Sequence, residues 1–168
     1  MVTFEICSSI GQWSRFSEFY LEHRNGIIPG YQVKHALTDI KNVMRKGRAA
    51  ILVNGKNEVI GIGGFTLGME ENGFENKEIA VLINSYFKEE YRGNRTFIRG
   101  LQVLAEQIKD ASSEAVEVRL PTFAHNGYTN RLYGKFAGRI ETKNTPYGEF
   151  HIYSASFEAF SQFCSRFK

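Results

Sequence analysis

Cysteine is scarce. Cys7 and Cys164 are the two in the chain, they sit near opposite ends, and no CxxC spacing occurs. That excludes a disulfide framework and points to a reducing compartment. No apolar run reaches membrane-spanning length, and no basic segment followed by an apolar one opens the chain. A cytoplasmic protein with no membrane partner is the expectation. The four histidines, His23, His35, His125 and His151, share no spacing typical of metal ligands, so no metal centre is expected. Neither charge is in large excess: 21 Lys and Arg stand against 18 Asp and Glu, a net charge of +3. Such mild basicity suits a phosphate-bearing small ligand and argues against a nucleic-acid partner.

What the chain holds in quantity is aromatic rings, 14 Phe and 8 Tyr among 168 residues, enough to fill a core or line a cleft. The length fits one domain, 1–168, around a single core. Val2 to Cys7 alternates apolar and polar and reads as a strand. Ser9 and Gln12 have the spacing of a capping box. The helix that follows presents Trp13, Phe16 and Tyr20 on one face and ends near Asn25-Gly26. After the Pro29-Gly30 turn, a second helix carries Val33, Leu37, Ile40 and Met44 as its inner face and stops at Gly47. Ala49 to Val53 and Val59 to Leu67 are strands joined by a hairpin turn at Asn54-Gly55-Lys56-Asn57. Gly61, Gly63 and Gly64 inside the second of these mark a bulge or a close approach to the backbone. Met69 to Lys77 is an acidic, exposed loop.

The centre of the sequence is Ile79 to Lys109. Ile79 to Phe87 is almost continuously apolar or β-prone, as in a strand buried on both faces. Tyr91-Arg92-Gly93-Asn94-Arg95 is a basic turn. From Thr96 the pattern turns helical, with Phe97, Leu101, Leu104 and Ile108 on one face. Beyond it, Ala115 to Leu120 is a strand stopped by Pro121. Thr122 to Gly127 is a loop, and Tyr128, Leu132 and Phe136 mark a short helix. Arg139 to Thr142 and Phe150 to Phe157 form a hairpin. The tail, with Phe157, Phe160, Cys164 and Phe167, fits a helix that packs on the core or forms a homodimer surface. The order β-α-α-β-β-β-α-β-α-β-β describes an α/β (α+β) fold with a mixed, mostly antiparallel sheet flanked by helices.

A strand feeding a helix through a glycine-containing basic turn leaves free N–H groups at the helix start, where they and the helix dipole can hold an anion. This order, with two local stretches, resembles the GNAT superfamily of N-acetyltransferases. Tyr86-Phe87-Lys88-Glu89-Glu90-Tyr91-Arg92-Gly93-Asn94 looks like the end of that family's fourth strand and the start of its pyrophosphate loop. Asn126-Gly127-Tyr128-Thr129-Asn130-Arg131-Leu132-Tyr133 matches its pattern of an Asn seven residues before a Leu-Tyr helix. Two later positions of the phosphate loop, small in the family, are Arg95 and Phe97 here.

The resemblance implies acetyl-CoA as cosubstrate, a single-step transfer to an amine, and a role for each candidate. Amide formation from a thioester needs a diphosphate site, a strand edge for the pantetheine arm, a donor to the carbonyl oxygen, and acid and base groups. The backbone of Arg92, Gly93, Asn94, Arg95 and Thr96, with the Arg92 and Arg95 side chains, is the candidate anion site; the alternative is a solvated basic turn. Backbone groups of Ser85, Tyr86 and Phe87 are the candidates for the arm, against an ordinary paired strand. Tyr133 is the candidate acid, against a core tyrosine, and Asn126 would bind the arm or cap the helix. Glu78 is the candidate base, against a solvated strand-end charge. The acceptor, a small molecule or a peptide amine, is expected to enter over residues 10–46 and the loop from Pro121 to Gly127; the acidic Glu70, Glu71 and Glu75 would attract a cationic one, against the reading of a solvated loop. The rival is a binding or regulatory module of the same fold without catalysis, motivated by Arg95 and Phe97.

Overall fold

The computed structural model describes residues 1–167, with the side chain of Asn94 outside the described set. One mixed sheet organises the chain. Its strands are β1 (Thr3–Ile6), β2 (Gly47–Val53), β3 (Val59–Leu67), β4 (Ile79–Leu82), β5 (Tyr86–Phe87), β6 (Glu117–Phe123), β7 (Gly138–Thr145) and β8 (Gly148–Ser156). They lie in the order β1-β2-β3-β4-β6-β8-β7, with β5 paired to β3. The β4–β6 pairing is parallel and the others are antiparallel. The helices are α1 (Ile10–Glu22), α2 (Arg24–Ile27), α3 (Val33–Lys46), α4 (Asn94–Ala111), α5 (Gly127–Tyr133) and α6 (Phe157–Ser165). This is the expected mixed architecture, with a short extra helix in α2 and the C-terminal segment formed as α6.

Helices cover both faces. On one, Phe16, Phe19 and Tyr20 of α1 and Ala36, Ile40 and Val43 of α3 pack on Ala49, Ile51 and Val53, the alternate residues of β2. On the other, Leu101, Leu104 and Ile108 of α4 and Phe160 and Phe163 of α6 pack on Phe65, Leu82, Val118 and Leu120. The capping box at Ser9 and Gln12 forms as its spacing predicts and fixes where α1 starts.

Three expectations are corrected. The inner face of α3 is Ala36, Ile40 and Val43, while Val33, Leu37 and Met44 are exposed; the small Ala36 lets the helix lie close to the sheet on that side. The stretch from Ile79 to Phe87 is two short strands rather than one. Pro121 stands inside β6, paired with Ile152, instead of ending it. The N–H of Ala124 donates to the Glu149 carbonyl. By alternation, residue 121 therefore directs its backbone nitrogen away from β8. A proline costs no ladder bond there.

The glycines of β3 mark close approaches, as expected. A Cβ at Gly61 would fall 2.3 Å from the Phe87 ring, and one at Gly64 would fall 2.7 Å from the Arg48 carbonyl oxygen. Gly47, where α3 passes into β2, is tighter, since a Cβ there would lie 1.7 Å from the backbone oxygen of Phe65. Gly47→Ala is expected to force β2 from β3 and cost about 1–3 kcal/mol, read as a lower urea midpoint. An unchanged midpoint would contradict this packing.

Candidate functional site

The site is built on the interruption between β4 and β5. β3 pairs β4 at Phe65↔Leu82 and β5 at Ile62↔Tyr86. That is three steps along β3 against four along the partner, so the partner carries one extra residue, a bulge at Ile83–Ser85. The chain stays tied to β3, with Ile83 N donating to Gly64 O at 2.9 Å and Lys88 N to Ile60 O at 2.8 Å. On its other side it leaves β6, since the parallel ladder runs from Ile79↔Glu117 to Val81↔Arg119 and goes no further. Alternation turns the backbone groups of Tyr86 and Lys88 toward β3. Those of Ser85 and Phe87 face the gap. Across that gap stands Pro121, with no N–H to close it.

The gap opens into a groove of about 520 Å³. Ser85, Tyr86 and Phe87 form one wall, Asn126, Tyr128 and Thr129 the other, and Arg92, Gly93 and Phe97 the end at α4, with Gly26 and Ile27 at the rim. A Cβ at Gly93 would meet nothing within 4 Å, so the backbone at the start of α4 borders open space. The first-turn N–H groups of this 18-residue helix have no intrahelical partner and carry the positive end of its dipole. Arg92 folds back along β5: its Nε donates to Phe87 O at 2.8 Å and its guanidinium lies 5.0 Å from the Tyr86 ring centroid.

The candidates therefore divide. Ser85, Tyr86, Phe87, Arg92, Gly93 and Asn126 all line the groove. Thr96 is half-buried at the helix start, Arg95 is exposed and outside the groove lining, and the Asn94 side chain lies outside the described residues. Phe97 stands in the groove, its ring 5.7 Å from that of Tyr128. Asn126 caps α5, its Oδ1 accepting from Thr129 N at 3.2 Å, which is the structural alternative read for it, and it also lines the groove. Tyr133 is buried one layer back, its ring 6.5 Å from that of Phe97 and 5.8 Å from that of Tyr153. Burial, then the nearby Tyr128, push the Tyr133 phenol well above its ordinary range, so it stays protonated. Glu78 does not join the site. It is exposed at the opposite end of β4, about 23 Å from Ser85 at strand rise, and its carbonyl holds the start of β6 through Val116 N and Glu117 N.

A second cavity, of about 380 Å³, meets the bulge from the other side. Ile83 and Asn84 line it, as does Pro121, while the next residue, Ser85, faces the groove. It carries four carboxylates, Asp39, Glu70, Glu71 and Glu141, and two cations, Arg119 and Lys143. Arg119 is held by Glu117 at 2.7 Å and Lys143 by Glu71 at 3.3 Å, so the remaining acids set the cavity's sign. Tyr20 lines it too, and its hydroxyl lies 2.9 Å from that of Tyr31, which donates to Asp39. Asn84 Nδ2 reaches Tyr20 Oη at 3.4 Å.

Sequence reading missed this chain of hydroxyls. Tyr20 falls on the apolar face of α1, and Asp39 stands next to the core residue Ile40. A lone acid bordering an apolar helix face was the available signal.

No protein-family model matches the chain, and no curated protein matches it in sequence. Its fold is found among solved structures. A GNAT-family acetyltransferase from Staphylococcus aureus Mu50 superposes with a TM-score of 0.68 at 12% identity, covering 92% of this chain and 99% of that one. The aminoglycoside acetyltransferase AAC(6')-Ib, in complex with coenzyme A and kanamycin, gives 0.66 at 15% identity over 96% and 98%. RimL, a ribosomal-protein α-N-acetyltransferase in complex with coenzyme A, gives 0.65 at 14% identity over 94% and 96%. The chain thus has the GNAT acetyltransferase fold.

Burial raises the Asp39 carboxyl above its ordinary range, more than the Tyr31 hydrogen bond lowers it, and Glu70 adds to the rise. The folded chain then binds the Asp39 proton more tightly than the unfolded chain. The charged form costs stability above the folded pKa, and that cost disappears as pH falls below the unfolded value. Asp39→Asn is expected to raise Tm at neutral pH, with the advantage vanishing in acid. A lower Tm at neutral pH would contradict this electrostatic reading.

Proposed function

We propose that this chain is an acetyl-CoA-dependent N-acetyltransferase acting on a cationic primary amine. One observation carries the reading. The adjacent residues Asn84 and Ser85 face different cavities, a groove edged by unpaired strand and an acidic pocket, and the cavities meet at the bulge. That is the geometry amide transfer requires, with thioester and amine arriving from opposite sides onto one point.

The groove fits the cosubstrate at three places. The start of α4 offers N–H groups and open space to a diphosphate, and Arg92 adds charge beside it. Ser85 and the Phe87 N–H turn toward the gap, where the amides of a pantetheine arm can pair with them, the Phe87 carbonyl being already held by Arg92 Nε. An N–H at the bulge is placed to donate to the carbonyl oxygen as it gains charge. Phe97 narrows the groove, and its ring turns aside or stacks as the arm enters. Tyr133 is the proposed donor to the departing thiolate; burial behind the groove wall weakens it as an acid and keeps it out of the lining, so Tyr128, which lines the groove, is the competing donor.

The acceptor side is read from charge. Unpaired carboxylates in a partly enclosed cavity favour an ammonium group and disfavour an anion. The resemblance in fold to AAC(6')-Ib, solved with kanamycin, is compatible with a polyamine-like acceptor. The rival binding module rests on Arg95 and Phe97. Arg95 is exposed and does not line the groove, so Phe97 is what remains of its support.

Calorimetry with coenzyme A and a thiol-release assay against amines test the reading together. Binding and turnover are expected, and neither heat nor thermal shift with coenzyme A would overturn it. Arg92→Ala is expected to weaken coenzyme A binding by about tenfold. Tyr133→Phe should keep coenzyme A affinity and lower kcat by roughly ten- to a thousandfold. If Tyr128→Phe has that effect and Tyr133→Phe has none, the proton comes from Tyr128.

A further inference from the structure

A cationic amine cannot attack a thioester until it loses a proton, because the ammonium nitrogen has no free electron pair. Glu78 is too remote to take that proton. The acidic cavity contains a group of different character, the hydrogen-bonded series Tyr20, Tyr31 and Asp39.

Its direction follows from donor arithmetic. An ionised Asp39 only accepts, so the hydroxyl of Tyr31 must donate to it. The Tyr31 proton being used, the 2.9 Å contact between hydroxyls has Tyr20 as donor. The oxygen of Tyr20 then keeps its acceptor sites. Asn84 Nδ2, from the bulge itself, reaches one at 3.4 Å. The other has no partner in the hydrogen bonds of the described residues, and Tyr20 borders the cavity. Tyr20 and Tyr31 are 1% and 2% exposed, so bulk water does not interrupt the series.

We infer that Tyr20, Tyr31 and Asp39 form a proton relay that deprotonates a cationic amine acceptor beside the strand bulge. The inference rests on the acetyl-transfer reading above and supplies the base it lacks. The ammonium N–H gives its proton to the oxygen of Tyr20, the proton of Tyr20 passes to Tyr31, and that of Tyr31 passes to the Asp39 carboxylate. The amine is left neutral with its electron pair free, both phenols are restored, and Asp39 is a carboxylic acid that returns its proton to solvent through the cavity. A second N–H proton, lost as the C–N bond forms and the C–S bond breaks, balances the one taken by the thiolate. Tyr20 is the catalytic residue because it touches the amine. Tyr31 and Asp39 act through it.

The electrostatics fit these roles. Burial pushes Tyr20 up to about 12 and Tyr31 higher still, so both conduct as neutral hydroxyls and neither is itself the base. Asp39 is raised by its own burial and by Glu70, and lowered by Tyr31 and by His35 on its own helix. His35 is engaged in turn by the Tyr147 hydroxyl. The other charges of the cavity are Glu71 and Lys143, paired with each other, Arg119, paired with Glu117, and Glu141. A carboxylate raised in this way is a stronger base than an exposed one.

The test is the pH profile of kcat/KM for thiol release from acetyl-CoA, with spermidine and kanamycin as probes. It compares the wild type with Asp39→Asn, Tyr20→Phe and Tyr31→Phe. In the wild type the rate falls in acid as Asp39 protonates. Without the relay only amine already neutral in solution can react. Each variant is therefore expected to lose about a hundredfold at neutral pH, with the rising limb moved toward the amine's own pKa and the loss recovered in alkali. Coenzyme A affinity, measured by calorimetry, is expected to be unchanged. A loss equal at every pH marks a structural role and overturns the relay, as does an Asp39→Asn profile matching the wild type. Because Tyr31→Phe can disturb packing, Asp39→Asn decides between these outcomes. If the wild type binds no coenzyme A, the acetyl-transfer reading fails and the relay falls with it. If it binds coenzyme A but releases no thiol with either probe, the relay for cationic amines is overturned while the groove assignment stands.

Discussion

A single extra residue between Leu82 and Tyr86 governs the rest of the structure. Without it, the strand from Ile79 to Phe87 would pair with β3 on one side and β6 on the other, and neither cavity would exist. With it, the strand keeps its bonds to β3, through Ile83 and Lys88, and gives up those to β6. The backbone groups released are polar and must find partners. The Phe87 carbonyl finds one in Arg92 Nε, and the groups that are left are what an amide-bearing ligand arm would complete.

Several features hold this break open. Pro121 removes the donor that could re-form a ladder across the gap. Gly61 and Gly64 let β5 and β2 press onto β3, so the strand is secured on the side that remains paired. Helix α5 is fastened to β6 and β8 through Asn130, whose amide nitrogen reaches the Phe123 carbonyl at 3.0 Å and whose oxygen accepts from the Tyr153 hydroxyl at 2.7 Å. The far wall of the groove is therefore fixed independently of the near wall. Rigid elements on both sides hold the two groove walls in register, as the proposed transfer requires.

Much of the architecture was legible. Period-two alternation, the Asn54-Gly55 turn and the Ser9 capping box each describe local chemistry that the fold leaves undisturbed. The groove wall from Ser85 to Arg92 was legible as well, because its strand–turn–helix grammar is local. The break at Ile83–Ser85 was not, because apolar residues continue through it. The position of a bulge depends on what stands opposite, here Gly63 and Gly64. The inward turn of α3 was misread for a similar reason: Val33, Leu37 and Met44 are the larger side chains, yet the sheet accepts the face with Ala36. The Tyr20–Tyr31–Asp39 series was hidden because tyrosines of a helix and a loop read as core until their hydroxyls are seen to meet.

The central claim is that the bulge holds the reacting end of an acyl-CoA. A crystal structure of the chain with coenzyme A tests it most directly. The account predicts the diphosphate at the start of α4, the pantetheine arm bonded to Ser85 and Phe87 between β5 and β6, and the sulfur beside Asn84 and Tyr128. Density for the ligand elsewhere, or a groove empty of ligand with the Phe97 ring still standing in it at saturating coenzyme A, would contradict it.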